Sequence, residues 1–87
     1  MAVVWIPSMM RDLTAGRDCV RVPGPTVADL IDELERAYPG VKERLVVRGQ
    51  LAPGLMVTVD GRRALRVLEE TVGGESEVRF LPLMAGG

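Results

Sequence analysis

Apolar and polar positions follow two rhythms along the chain, and each predicts a kind of element. Between residues 27 and 38, Val27, Leu30, Ile31, Leu34 and Tyr38 recur at i, i+3, i+4, i+7 and i+11, a single stripe at 3.6 residues per turn. The opposite face carries Asp32, Glu33, Glu35 and Arg36. Asp32 and Arg36 stand at i, i+4 with the acid first, a pair expected to add ~0.3 kcal/mol. Pro23-Gly24-Pro25 interrupts the chain before this segment, and Thr26 with Asp29 three positions on resembles a capping box with Asp in place of Glu. Pro39-Gly40 then ends the predicted helix.

The second rhythm is that of strands. Ala2 to Ile6 (AVVWI) is a β-branched and aromatic run stopped by Pro7, which reads as a strand buried on both faces. Residues 8–18 mix polar and apolar types and predict a loop or wide turn leading to a second strand over Cys19 to Val22, so the two strands suggest a hairpin. Leu55 to Val59 predicts a further strand, and Asp60-Gly61 after it fits a type I′ hairpin turn, which needs positive φ at both central residues. Arg62 to Leu68 is expected to return as a short edge strand or irregular stretch. Glu77 to Leu81 alternates so that Val78 and Phe80 share one side, Glu77 and Arg79 the other. Residues 41–47 suggest one short further turn of helix, 49–54 a loop, and 71–76 a turn-rich link. Strands on both sides of one long helix predict an α+β fold, a mixed sheet of four to five strands over a single main helix. The expected division is one domain over residues 1–81 and a tail over 82–87.

Composition narrows what such a fold can do. Eighty-seven residues, 47% of them hydrophobic but only three aromatic, make one small domain with an aliphatic core and no room for a cleft between domains. Eleven basic and twelve acidic side chains nearly cancel, so no electrostatic footprint for nucleic acid or an anionic membrane is present. No apolar run approaches the ~20 residues of a membrane span. Cys19 is the one cysteine and histidine is absent, which excludes an intramolecular disulfide, a thiolate-rich metal site and the commonest acid–base group near neutral pH. A cytoplasmic protein without catalytic chemistry of its own is expected.

After the last predicted strand the chain runs Pro82-Leu83-Met84-Ala85-Gly86-Gly87. Six extended residues reach roughly 20 Å, and a backbone ending in the smallest side chains threads channels closed to anything larger. The tail is therefore expected to be mobile and to enter another protein's active site. The plain alternative is an accidental end, since with ten glycines in the chain a terminal pair arises by chance in about 1% of cases.

One further pattern combines these pieces. Ile6-Pro7, Leu13-Thr14 with Gly16, Thr26, Leu34-Glu35, Tyr38-Pro39-Gly40, Glu43-Arg44-Leu45, Val57 and Val59, and Phe80-Leu81-Pro82 running into Ala85-Gly86-Gly87 resemble the ubiquitin-like sulfur carriers over essentially the whole chain. That family includes the small subunit of molybdopterin synthase and the thiamin-pathway carrier. The stretch YPG-x-x-ERL looks most like the branch that carries sulfur for cysteine biosynthesis in actinobacteria. The resemblance implies a β-grasp fold and chemistry at the carboxylate of Gly87, next to Gly86. An adenylating sulfurtransferase resembling the ubiquitin-activating class would use ATP to form a C-terminal acyl-adenylate, and a sulfur donor would displace AMP to leave a thiocarboxylate. It further implies a sulfur-accepting partner, either a cysteine synthase or the large subunit of molybdopterin synthase, and in the cysteine branch a protease that releases the product from the tail. No cofactor would be held by the carrier itself. Two other readings stay open: a protein modifier joined to lysines through Gly87, and an interaction module whose tail is never activated.

Each remaining feature has two readings. Leu81, Leu83 and Met84, with Ala85, are expected to dock a partner beside the tail, since free exposure of such side chains in and beyond a strand is unfavourable. Arg62, Arg63 and Arg66 either meet an acidic patch on the activating enzyme or form a solvated edge that discourages strand addition. Cys19 is a sulfur relay or an ordinary half-buried thiol. Met9 and Met10 are a soft contact surface or core filler, and Gly73-Gly74 is a turn, because no Lys-Ser/Thr and no helix follow it.

Overall fold

The computed structural model describes residues 1–83. In chain order the elements are β1 (Ala2–Trp5), a 3₁₀ turn at Ser8–Met10, β2 (Cys19–Val22), α1 (Val27–Ala37), α2 (Val41–Leu45), β3 (Val46–Val47), β4 (Gln50–Leu51), β5 (Leu55–Val59), β6 (Arg62–Arg63), a 3₁₀ turn at Val67–Glu69 and β7 (Glu77–Pro82). Five strands form one mixed sheet in the order β2-β1-β7-β5-β6. The first and last long strands, β1 and β7, run parallel at its centre, and the other neighbours are antiparallel. The expected sheet over one main helix is thus present.

The core follows from the two rhythms. Val27, Leu30, Ile31 and Leu34 of α1 are all buried and lie against the inward residues of the sheet, Val4, Val22, Val57, Val59, Val78 and Phe80. Burying each aliphatic side chain contributes about 2 kcal/mol before entropy is counted. Only one face of the sheet is covered. In β1 Ala2 and Val4 are buried while Val3 and Trp5 are half-buried, which corrects the expectation of a strand enclosed on both sides. A helix packed on one face leaves the alternate residues at the surface.

Thr26 caps α1, its Oγ accepting the Asp29 N–H at 3.3 Å and its hydroxyl donating to Asp29 Oδ2 at 2.7 Å. One methylene shorter than Glu, Asp29 thus meets the hydroxyl of the cap. The expected Asp32–Arg36 pair does not form. Asp32 accepts from Lys42 Nζ at 2.7 Å and Arg36 reaches Glu33 at 3.3 Å, because the turn after α1 brings Lys42 closer to Asp32 than the next helical turn brings Arg36.

That turn is held from within. Gly40 has φ 104°, and its N–H and that of Lys42 donate to the Glu35 carboxylate at 3.1 and 2.9 Å. Glu35 thereby caps the start of α2 from the preceding helix. The residues between Leu34-Glu35 and Tyr38-Pro39-Gly40 in the sequence pattern are one folded corner. Thr14 is likewise buried, its hydroxyl donating to Arg17 O at 2.9 Å in the turn that ends at Gly16.

Two stretches differ from expectation. Residues 49–54 contain β4, paired with β3 as a small second sheet. Arg48 and Gly49 between them both have positive φ, 54° and 76°, so the turn is of the hairpin kind with Arg where Asn or Asp would have announced it. The second concerns the boundary of the tail. β7 runs to Pro82, one residue past the predicted strand, and the Leu83 N–H donates to Gly54 O at 2.8 Å. Proline is tolerated there because Leu83 bonds toward β5, so the alternation of the ladder turns the Pro82 nitrogen away from it, and β1 has already ended at Trp5 opposite Arg79. Pro82 and Leu83 therefore belong to the body, and the rest of the expected tail, residues 84–87, lies outside the described residues.

Candidate functional site

The root of the C-terminal segment is the best-supported part of the sheet. β7 is flanked by β1 on one side and β5 on the other, and its inward residues Val78 and Phe80 are buried under α1. Of the residues the sequence assigned to the tail site, Leu81 stands on the open face opposite Met56, 36% exposed, and Leu83 is 40% exposed. Met84, Ala85, Gly86 and Gly87 lie outside the described residues.

Next to Leu81 the open face carries a constellation that sequence reading missed. The Trp5 Nε1–H donates to Glu77 Oε1 at 3.0 Å, Arg79 reaches the same oxygen at 3.5 Å, and the Arg79 guanidinium carbon lies 4.6 Å from the centre of the Trp5 ring. Stacking of this kind holds an aromatic ring and a cation in fixed relative positions. Trp5 and Arg79, with Met9, Leu81 and Pro82, line a shallow depression of about 250 Å³. Trp5 meets Arg79 only because the strands at opposite ends of the chain pair in parallel, which no local pattern announces.

The arginines after the hairpin do not act together. Asp60 and Gly61 adopt φ 51° and 84°, confirming the predicted turn, and β6 follows. Arg62 lies opposite Val59 and Arg63 opposite Thr58, so consecutive side chains leave on opposite faces of the sheet. Arg62 reaches Glu70 at 3.7 Å and Arg66 reaches Glu69 at 3.7 Å. Arg63 is exposed and makes no ion pair with any described residue. The expected cluster is therefore two compensated cations and one open one. On the far side of β5 from the Trp5 depression, a second, larger groove of about 610 Å³ runs between β4, the start of β5 and residues 63–69.

The hairpin itself is tied to the start of β7. Asp60 Oδ1 accepts the Glu77 N–H at 2.8 Å and Oδ2 accepts the Ser76 hydroxyl at 2.9 Å, bonds that hold its carboxyl below the usual carboxylate range. Ser76 Oγ in turn accepts the Gly73 N–H at 2.8 Å, so Gly73-Gly74 is a turn, as read. Cys19 is half-buried on the edge strand β2, opposite Trp5 and separated from β7 by β1. Of the two methionines, Met10 fills the core and Met9 is 58% exposed. Among the described residues no three acidic, Cys or His side chains are grouped to hold a metal ion, and no helix is long and apolar enough to cross a membrane. The arrangement offers binding surface on both sides of a rigid strand end.

Comparison with known proteins agrees with this geometry. The model of the ThiS family matches residues 6–87. The sulfur carrier protein CysO of Mycobacterium tuberculosis is 31% identical over 91 residues, covering 97% of this chain and 96% of the relative. The fold is shared with the chain in the Amycolatopsis orientalis BexX/CysO complex at a TM-score of 0.92 and 32% identity over the whole of both chains. It is shared also with the archaeal protein SAMP1 from Haloferax volcanii, at a TM-score of 0.77 and 27% identity over 99% of this chain and 98% of that one.

Proposed function

The chain belongs to the ThiS family, and on that premise we propose that it is a sulfur carrier of the CysO type, activated at the carboxylate of Gly87. The carboxylate attacks the α-phosphorus of ATP in a partner adenylating enzyme, pyrophosphate leaves, and an acyl-adenylate forms. A hydrosulfide then attacks the acyl carbon and expels AMP, and loss of its proton leaves a thiocarboxylate. A carboxylate is a poor electrophile until its oxygen is made a leaving group, and glycine puts no side chain in the path of attack. The chain is a cosubstrate in this scheme, acting in the cytoplasm, and the ATP belongs to the partner.

The observation that carries the reading is that the family match runs to Gly87 while the chain as far as Leu83 is bonded to the sheet. A partner that docks on the body beside Leu83 therefore has the terminal carboxylate within reach, since four residues span at most roughly 14 Å. The depression at Trp5, Arg79 and Leu81, together with Leu83, Met84 and Ala85, is the docking surface in this proposal. The thiocarboxylate sulfur is passed to a biosynthetic enzyme, with cysteine synthesis first because the relative is CysO. A cysteine synthase and a protease that trims the product from the tail would complete that route. Docking on a partner protein is supported by the CysO of the BexX/CysO complex.

A second reading has its own support. SAMP1 of Haloferax volcanii, a structural neighbour, is a small archaeal modifier protein, and a modifier would join Gly87 to lysines of targets. Intact mass separates the two. After incubation with ATP, a sulfide source and the adenylating enzyme of the same genome, the carrier gains about 16 Da as oxygen is replaced by sulfur, and the gain disappears when Gly87 is deleted. Lysine-linked Gly-Gly remnants on other proteins without that gain would overturn the carrier in favour of the modifier.

A further inference from the structure

The turn that precedes β5 does more than connect two strands. Pro53 and Gly54 occupy its two central positions, Gly54 has φ 86°, and the Leu55 N–H donates to Ala52 O at 3.3 Å. Proline followed by a residue at positive φ under such a bond is a type II turn. A carbon added to Gly54 would meet nothing within 4 Å, so glycine stands there for its backbone conformation and not for lack of room. The turn is anchored from behind, because the Ala52 N–H donates at 2.8 Å to the carbonyl of Leu45, a core residue at the end of α2. The Gly54 carbonyl is thereby held in front of the last strand, where it accepts the Leu83 N–H at 2.8 Å.

That one bond decides where the sheet lets go of the chain. Leu81 lies opposite Met56 and Pro82 opposite Leu55, but proline has no N–H to give, so of residues 82 and 83 only Leu83 supplies a backbone donor. With the bond in place four residues follow the last point of attachment, a span of at most roughly 14 Å. Without it the last donor to the sheet is at Leu81, six residues follow, and the span grows to roughly 20 Å. Each residue whose backbone has to be ordered anew in a complex weighs on the order of tenfold in an equilibrium constant. The difference falls mainly on Leu83, since the ring of Pro82 already restricts its φ.

We propose that Gly54 is a positioning residue for the chemistry at Gly87: in the type II turn its carbonyl holds Leu83, and so fixes the point from which the carboxylate is delivered to the adenylating enzyme. The inference rests on the carrier reading and adds to it an element of this chain that acts through Leu83 and not on the reacting atoms. The enzyme then has four residues to order when it receives the terminus, rather than six. The effect belongs to the carrier concentration needed for half-maximal rate, because the ordering takes place as the complex forms, while the adenylation step itself is unchanged.

Two substitutions at one position separate backbone conformation from everything else. Gly54→Val opposes a positive φ, whereas Gly54→Asn tolerates it, and neither alters the last strand or the residues after it. With the full-length chain and the adenylating enzyme of the same genome, ATP-dependent pyrophosphate release is measured against carrier concentration, and exchange of the Leu83 amide is followed by NMR. Gly54→Val is expected to bring Leu83 exchange to the rate of an open amide and to raise half-saturation about tenfold with the maximal rate retained. Gly54→Asn is expected to regain most of each. Should Gly54→Val melt too low to assay, Leu83→Pro removes the donor and leaves the turn intact. Its half-saturation is expected about tenfold above that of Leu83→Ala, which loses the same side chain but keeps the N–H, and equality of the two overturns the inference. So does a Gly54→Val chain with an open Leu83 amide and half-saturation within twofold of the wild type, a Leu83 amide already open in the wild type, or equal losses in Gly54→Val and Gly54→Asn. Each of these leaves the carrier reading standing. If the wild type releases no pyrophosphate, the carrier reading fails and the positioning role fails with it.

Discussion

Removing the carboxylate of Glu35 tests whether the corner between the two helices is held as described. It accepts the N–H of Gly40, shared between its two oxygens at 3.1 and 3.2 Å, and that of Lys42 at 2.9 Å. Hydrogen bonds to a charged group contribute about 1.5–3 kcal/mol when shielded from water. Glu35 is half-buried, so about 1 kcal/mol per donor is the appropriate scale, and Glu35→Ala should cost about 2 kcal/mol. This agrees with the ~0.5–2 kcal/mol lost when a helix N-cap is truncated. In a domain of this size it lowers the melting temperature by about 8–15 °C. Glu35→Gln keeps one oxygen for Lys42 and Gly40 but removes the charge and puts an amide N–H₂ in place of the second acceptor, 3.2 Å from the Gly40 nitrogen, so about half the loss is expected. Urea unfolding followed by the fluorescence of Trp5, the chain's one tryptophan, measures all of these. Glu33→Ala is the internal reference, because its 3.3 Å pair with Arg36 is on the surface and should matter by less than about 0.5 kcal/mol. A loss for Glu35→Ala no larger than that of Glu33→Ala would refute the capping account.

Three further outcomes follow from other parts of the structure. The Asp60 carboxyl is held below its ordinary range by the Glu77 N–H and the Ser76 hydroxyl, so its contribution is complete above the unfolded-state value and disappears as pH falls through the lower folded one. Asp60→Asn should therefore show a shallower loss of stability below about pH 4 than the wild type in acid titrations followed by circular dichroism, and parallel curves would contradict the assignment. Gly24→Ala meets both a φ of 149° and Asp29 Cβ at 2.9 Å from the added carbon, so thermal unfolding should report a loss of about 2 kcal/mol or more. Phe80→Ala empties a buried site in the central strand at a cost of about 3–5 kcal/mol, and against a total of roughly 4–13 kcal/mol for 87 residues it should leave a detectable unfolded fraction by amide exchange.

How much was legible beforehand differs by feature. The stripe of Val27, Leu30, Ile31 and Leu34 and the alternation of Val78 and Phe80 are local signals, and the structure uses both as read. Asp60-Gly61 announces its hairpin because residues that tolerate positive φ stand where the turn needs them. Arg48-Gly49 makes a turn of the same kind without such a first residue, so the small β3–β4 hairpin was hidden. The failed Asp32–Arg36 pair shows the limit of spacing on a helix surface: a cation from another element, Lys42, stood closer.

The residues and their order along the chain determined the main helix and its buried stripe, the strands β1, β2, β5 and β7, the inward face of β7, the terminal Gly86-Gly87 and the family. These depend on neighbours within a few residues or on motif identity, and so they are written locally. Tertiary structure alone decided that β1 lies parallel to β7, and with it that Trp5 stacks on Arg79 beside Leu81. It also decided that Arg62 and Arg66 are compensated while Arg63 is open, and that a groove adjoins the tail root. Those features join residues as far as 74 positions apart in the chain, and their geometry exists only once burial of the aliphatic core has fixed the order and register of the sheet.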